Sequence, residues 1–220
     1  YFYILGERSK THWKGDFMKT LSRSAVIFLL LAFYSPSHAE SPASKLAAVD
    51  LNASEILWTG KKILGSHNGS VKLKSAKLEM AGSEIAKAEF EADMTSIQVS
   101  DLSAPGPNAK LTGHLKSEDF FGTDKYPTAL FKSTGIKALP IDGKATHEVT
   151  GDLTIKGITQ AITFPMKMTL EGGKAMATAT LTVDRTRYGI RYGSGKFFQN
   201  LGDKTIDDRF QVDVKIIANL

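Results

Sequence analysis

Histidine is the side chain best suited to acid–base or metal chemistry near neutral pH, and residues 40–220 contain three: His67, His114 and His147. A metal site needs ligands on one face, at i, i+2 on a strand or i, i+4 on a helix, or thiolates to complete a tetrahedron. No pair of these histidines has that spacing and the chain has no cysteine, so no metal is expected. Glu118 and Asp119 are adjacent. On a helix, neighbours point about 100° apart, so these two do not form a matched acid–base pair and are expected to cap and solvate. No Gly-x-Ser-x-Gly elbow occurs, and Gly193-Ser194-Gly195-Lys196 lacks the spacing of a phosphate loop. Asp184-Arg185-Thr186-Arg187 and Asp207-Asp208-Arg209 read as strand-end ion pairs. An enzyme reading would have to use His67 or His114 as a base near Asp119. The pattern instead predicts a protein that is not an enzyme and has no catalytic residue, metal or cofactor.

What remains is apolar chemistry. Trp58, Phe90, Met94, Phe120, Phe121, Tyr126, Phe131, Phe164, Met166 and Met168 form an aromatic and methionine set along the chain. As plain core these residues need no ligand. As the lining of a cavity they would receive a long apolar chain, since each buried methylene is worth about 0.8 kcal/mol and methionine adapts to irregular shapes. His67, in a glycine- and asparagine-rich segment, is placed to meet a polar headgroup. The set is densest from Gly113 to Thr134, where Phe120, Phe121 and Phe131 flank Tyr126-Pro127.

The elements that carry this set are strands. Ala88, Phe90, Ala92 and Met94 alternate with Lys87, Glu89, Glu91 and Asp93, the signature of a strand with one dry face. Val149 to Ile155 alternates likewise, Lys156-Gly157 marks a tight hairpin, and Ile162 to Leu170 returns. Pro165 in that return strand lacks a ladder donor and belongs at an edge or bulge. Ala177 to Val183 and Phe210 to Ile216 alternate again. Shorter strands are expected over Ala47–Asn52 and Ile56–Lys62, with a turn at Gly65–Gly69 and a bulge near Ser75-Ala76. Ser103–Asn108, with two prolines and a glycine, reads as irregular, and Lys110–Phe121 as one short helix. The fold class is all-β: about eight antiparallel strands forming a closed barrel or a sandwich, and a barrel of that size has an interior filled by its own side chains or able to hold one small ligand.

The start of the chain reads differently. Met18 to Arg23 is a positive segment, Ala25 to Phe33 an apolar run too short to span a bilayer, and Ser37-His38-Ala39 a small-x-small cleavage site. The pattern predicts a signal peptide over 18–39, an in-frame upstream extension over 1–17, and a single domain over 40–220. Five basic and two acidic residues precede residue 40, which leaves residues 40–220 with a net charge of +2 against +5 for the whole. No basic patch with interleaved aromatics occurs, so nucleic acid is not an expected partner. An exported, cysteine-free chain without a transmembrane anchor points to a bacterial periplasm and a core that is stable unaided. A dimer is left open.

In order along residues 40–220, the motifs resemble the YceI-like periplasmic proteins. Gly65-Ser66-His67-Asn68-Gly69 follows an early strand; His114-Leu115-Lys116-Ser117-Glu118-Asp119-Phe120-Phe121 leads to Tyr126-Pro127-Thr128-Ala129-Leu130-Phe131; Gly151 to Thr159 forms the hairpin; Arg187-Tyr188-Gly189-Ile190 and Ile206-Asp207-Asp208 precede the last strand. The resemblance implies a lipocalin-like barrel holding an isoprenoid, quinone-like or other long-chain lipid in its lumen. It implies that part of the aromatic and methionine set lines that lumen. The family often has His-Ser and then Phe in its first strand, where this chain has Ala53-Ser54 and Trp58.

Overall fold

The computed structural model describes residues 44–140 and 145–220. The expected signal peptide and upstream extension lie outside them. Nine strands form one antiparallel sheet: β1 Lys45–Val49, β2 Glu55–Lys62, β3 Gly65–Ala81, β4 Glu84–Val99, β5 Thr128–Ala138, β6 His147–Ile155, β7 Ile158–Glu171, β8 Lys174–Asp184 and β9 Ile206–Asn219. From β2 to β9 each strand pairs with the next, and the ring closes because β1 and β2 each pair with both β3 and β9. β1 and β2 are therefore two halves of one staff, and nine strands occupy eight places. This is a closed eight-stranded antiparallel barrel with one short helix, which decides between the barrel and the sandwich that the alternation allows and agrees with what the family resemblance implies. Among the described residues every ladder lies within residues 45–219, and the ring closes within them.

The break between β1 and β2 is built rather than accidental. Asp50 Oδ1 accepts the Asn52 and Ala53 N–H groups, and the Ser54 hydroxyl donates to Asp50 O at 2.7 Å while accepting from Ile217 N–H at 3.1 Å. Ser54 thus replaces a missing ladder partner.

Three local expectations are corrected. Gly65–Gly69 is not a turn: β2 and β3 pair through Lys62↔Gly65, and the two-residue turn is Ile63-Leu64, with Gly65 at φ +122° absorbing the reversal. The first strand begins at Lys45 and ends at Val49, earlier than expected. The helix, α1, spans Pro105–Lys116 rather than Lys110–Phe121. Prolines at the first and third helical positions cost no hydrogen bond, because the first-turn N–H groups have no partner within a helix. Asn108 anchors that turn by donating from Nδ2 to Val99 O and Leu102 O, both at 2.9 Å. The helix ends early because the chain folds back over it: Ser117 N–H caps Gly113 O, and Phe121 and Thr123 N–H groups take Leu115 O and Lys116 O.

Other expectations hold. The β3–β4 register shifts between Leu73 and Ser75. Lys156 and Gly157 both have positive φ in the β6–β7 turn, as a two-residue hairpin of this hand requires. Pro165 sits where the β7–β8 ladder, which starts at Met166↔Ala179, gives out.

Two apolar clusters plug the barrel. One, at the α1 end, joins strand residues such as Ile97 and Val183 to Leu115, Phe120, Tyr188 and Ile190 from the connections. The other, at the opposite end, is built from strand residues, among them Leu78, Ile85, Val149, Met166 and Ala218.

Candidate functional site

Between the two plugs lies a cavity of about 180 Å³, lined by inward residues of β2 to β9. Thr178 is its one polar lining residue; no charged side chain reaches it. An engineered apolar cavity of about 150 Å³ stays dry and takes up benzene, so this space suits a hydrocarbon guest and excludes a polar one.

The alternation that makes the strands also builds the walls. β4 turns Ala88, Phe90, Ala92 and Met94 inward, and β8 turns in Ala175, Ala177, Ala179, Leu181 and Val183. The alanines leave the volume that larger residues would fill. Across β4 to β7 runs an aromatic wall: Phe90 and Phe131 stack with centroids 6.3 Å apart, and Phe131 and Phe164 tilt together at 5.6 Å. Phe131 and Phe164 stand on β5 and β7, with β6 between. They meet because β6 carries Gly151 there; a Cβ at that position would lie 2.5 Å from the Phe131 ring.

Trp58 closes the cavity toward the α1 end. Its indole N–H donates to Gln98 O at 3.2 Å, and Gly69 makes room for that contact, since a Cβ there would lie 1.8 Å from the same oxygen. Beyond Trp58 is a smaller space of about 70 Å³, walled by Phe120, Phe121, Phe210, Ile190 and Arg185. Phe121 meets Phe210 edge-on at 6.4 Å, and Phe120 packs on the His114 ring at 4.9 Å. The buried Arg185 guanidinium sits 5.9 Å from the Phe120 ring and donates to four carbonyls, those of Asp207, Ile190, Tyr192 and Ile206. Burial lowers its pKa, and Asp208, Asp184 and Asp207 work against that fall. Its donors are committed to the connection between β8 and β9 and to the first residues of β9, so it fastens this plug.

Of the residues singled out from the sequence, Trp58, Phe90, Met94, Phe131, Phe164 and Met166 line the cavity. Phe120 and Phe121 lie beyond Trp58 in the plug. Met168 packs against the opposite cluster. Tyr126 covers the β6–β7 turn, where a Cβ on Gly157 would lie 2.8 Å from its ring. His67 is turned to Asp101, with Nδ1 2.7 Å from Oδ2, while Asn68 N–H donates to Oδ1 of the same carboxylate. Asp101 titrates below the ordinary range: burial pushes it up, but the Asn68 N–H and His67 more than reverse that. His114 lies 3.6 Å from Asp119, and His147 bonds Glu84 at 2.8 Å at the opposite end. None of the three histidines lines the cavity. Among the described residues no three His, Asp or Glu side chains gather as a metal site would need, and no helix is long and apolar enough to cross a membrane. The small residues mixed into the dry faces, Ala92, Ala177 and Ala179 among them, leave room as their parity in the sequence suggests, although none of them is singled out there as a site residue.

The family described as the YceI-like domain matches residues 48–218. The chain belongs to the YceI-like family. A UPF0312 protein of Pseudomonas putida strain W619 is 35% identical over 120 residues, 52% of this chain and 60% of that protein. Protein YceI of Shigella flexneri is 37% identical over 81 residues, 37% of this chain and 40% of that protein. The chain thus spans about half the length of these relatives. Among solved structures, Burkholderia cenocepacia BcnA has a TM-score of 0.63 at 25% identity, covering 78% of this chain and 99% of its own. A polyisoprenoid binding domain from Saccharophagus degradans, implicated in plant cell wall breakdown, has a TM-score of 0.56 at 15% identity, covering 80% and 99%. The latter is a likeness of fold.

Proposed function

We propose that this YceI-like barrel is a non-catalytic binding protein that carries a long amphiphile, an isoprenoid, quinone-like or acyl lipid, with its apolar chain in the lumen. The observation that supports this most is the cavity of about 180 Å³, walled by three phenylalanine rings and free of charged groups. Left empty, such a space would cost about 4 kcal/mol at roughly 24 cal/mol per Å³, so a barrel packed only by its own side chains is the poorer reading. The polyisoprenoid-binding domain of similar fold favours an isoprenoid among the three. The cavity itself takes roughly a benzene-sized guest, so a longer chain is accommodated by turning aside flexible lining residues such as Met94 and Met166. Export to the periplasm through residues 18–39 belongs to the same proposal. Mass spectrometry of organic extracts from protein purified out of its native periplasm tests it. A stoichiometric lipid is expected. Extracts without lipid, together with a melting temperature that no lipid shifts, would refute the reading.

A further inference from the structure

Five of the thirteen large hydrophobic residues exposed among the described residues belong to two neighbouring segments at the α1 end of the barrel: Ile63 at 61%, Leu64 at 67%, Tyr192 at 46%, Phe197 at 45% and Phe198 at 48%. They come from two segments that are tied together. Ile63 N–H bonds Thr205 O, Ile206 N–H bonds Gly193 O, and the Phe197 and Phe198 N–H groups both bond Ser194 O. The Arg191 guanidinium lies 4.7 Å from the Phe197 ring centroid, which holds that ring outward in place. Exposed basic residues frame the patch: Lys61 and Lys62 beside the Ile63-Leu64 tip, then Arg191 and Lys204. The exposed acids beside the two segments are Asp203 and Asp207. Asp119 lies 3.6 Å from His114, whose ring meets Tyr192; Asp101 is held by His67 at 2.7 Å, and Asp184 and Asp208 are held by Lys196 at 3.3 and 3.2 Å.

We infer that this rim docks the barrel on an anionic bilayer surface, from which the amphiphile is collected or to which it is returned. The inference rests on the carrier reading above. Apolar tips and aromatic rings bracketed by lysines are the residue types that settle at a membrane interface, where rings lie at headgroup level and cations meet anionic lipid. A second copy fits the same surface less well, because a two-fold interface sets the same patch on both sides and would draw the lysines and arginine that frame it on both copies out of water. The rim also stands at the favourable end of the lumen. The plug there includes connection-borne Leu115, Phe120, Tyr188 and Ile190, whereas the opposite plug is made of residues held in strand ladders. Moving a side chain carried by a connection breaks no ladder.

The test uses residues 40–220, which carry every ladder and both plugs, sedimented with vesicles of phosphatidylcholine alone or with about one-third phosphatidylglycerol. Binding is expected to the anionic vesicles and to weaken with salt. Replacing Ile63, Leu64, Phe197 and Phe198 together by serine should lower vesicle partition at least about tenfold. Replacing Lys61, Lys62 and Lys204 by glutamine should lower it about fivefold per lysine. Undiminished binding by the serine variant, or no binding of the unmodified protein to anionic vesicles, overturns the inference. If the serine variant fails to melt cooperatively, the glutamine variant decides, since its side chains are exposed. A concentration-dependent dimer that the serines abolish overturns it in favour of a second copy. Lipid content is measured on the same preparations: cargo without docking refutes this inference alone, and docking without cargo refutes the carrier reading alone.

Discussion

Ala92 on β4 and Ala179 on β8 line opposite walls of the lumen, because β4 and β8 are four places apart in a ring of eight. Replacing both by leucine adds six carbons to the cavity. A cavity of about 150 Å³ accepts the six carbons of benzene, so the two leucines occupy most of the 180 Å³ present here. At about 0.8 kcal/mol per buried methylene, a ligand excluded from six carbons' worth of space loses about 5 kcal/mol, between three and four powers of ten in Kd. The protein itself should hardly suffer. Overpacking costs roughly 1–3 kcal/mol, while filling the void relieves up to about 4 kcal/mol, so the melting temperature of delipidated protein holds or rises. Displacement of a fluorescent polyenoic fatty acid by farnesol measures the affinity, and the thermal melt reports the fold. Ala86→Leu, at an exposed position on β4, is the control and should leave both unchanged. A folded Ala92→Leu/Ala179→Leu variant that binds farnesol with its original Kd would refute a lumenal site.

Two further outcomes follow from particular contacts. Gly151→Ala sets a methyl against the Phe131 ring and Lys132 O, each 2.5 Å from the new Cβ; stability should drop by about 1–3 kcal/mol in urea titration, with a weaker farnesol complex because the aromatic wall is displaced. Asp184 titrates below the ordinary aspartate range, since burial pushes it up but the Thr186 hydroxyl and N–H and the Lys196 ammonium more than reverse this. A carboxylate depressed by folding gives its full stabilisation above its unfolded value, about pH 4, and loses it as pH falls through the folded value; Asp184→Asn should therefore destabilise at pH 7 and flatten the acid limb of the stability–pH curve.

How far the molecule could be read from its sequence depends on the range of the interaction involved. Ala88, Phe90, Ala92 and Met94 declare an inward face because strand periodicity is a property of consecutive residues, and the barrel follows from several such faces joined by hairpins. The Lys156-Gly157 turn is equally local. The helix was misplaced because Pro105 and Pro107 act as breakers everywhere except in a first turn, and what identifies a first turn here is distant: Asn108 reaching Val99 O and Leu102 O. The end of α1 is likewise set by what folds back on it, not by its own residues. Gly65–Gly69 has turn composition, yet Gly69 is there for clearance between Trp58 and Gln98 O, a contact across three strands that no spacing announces.

The same division separates the aromatic residues. A one-dimensional pattern says that Phe120, Phe121, Phe131 and Phe164 are apolar and clustered, and that much leads to a lumen. It does not say which rings line the space and which stop its end. Phe131 belongs to the lining because Gly151, twenty residues later, gives its ring room to reach Phe164. Phe120 and Phe121 belong to the plug because the chain turns back over α1 at Ser117 and sets them against His114 and Phe210. The volume of the cavity is decided by the residues with least to say for themselves, the alanines of β4 and β8. A site made of absence of side chain carries no motif. The alternating alanines announce room, but its size and place are fixed only when the ring closes and opposite walls fall short of each other.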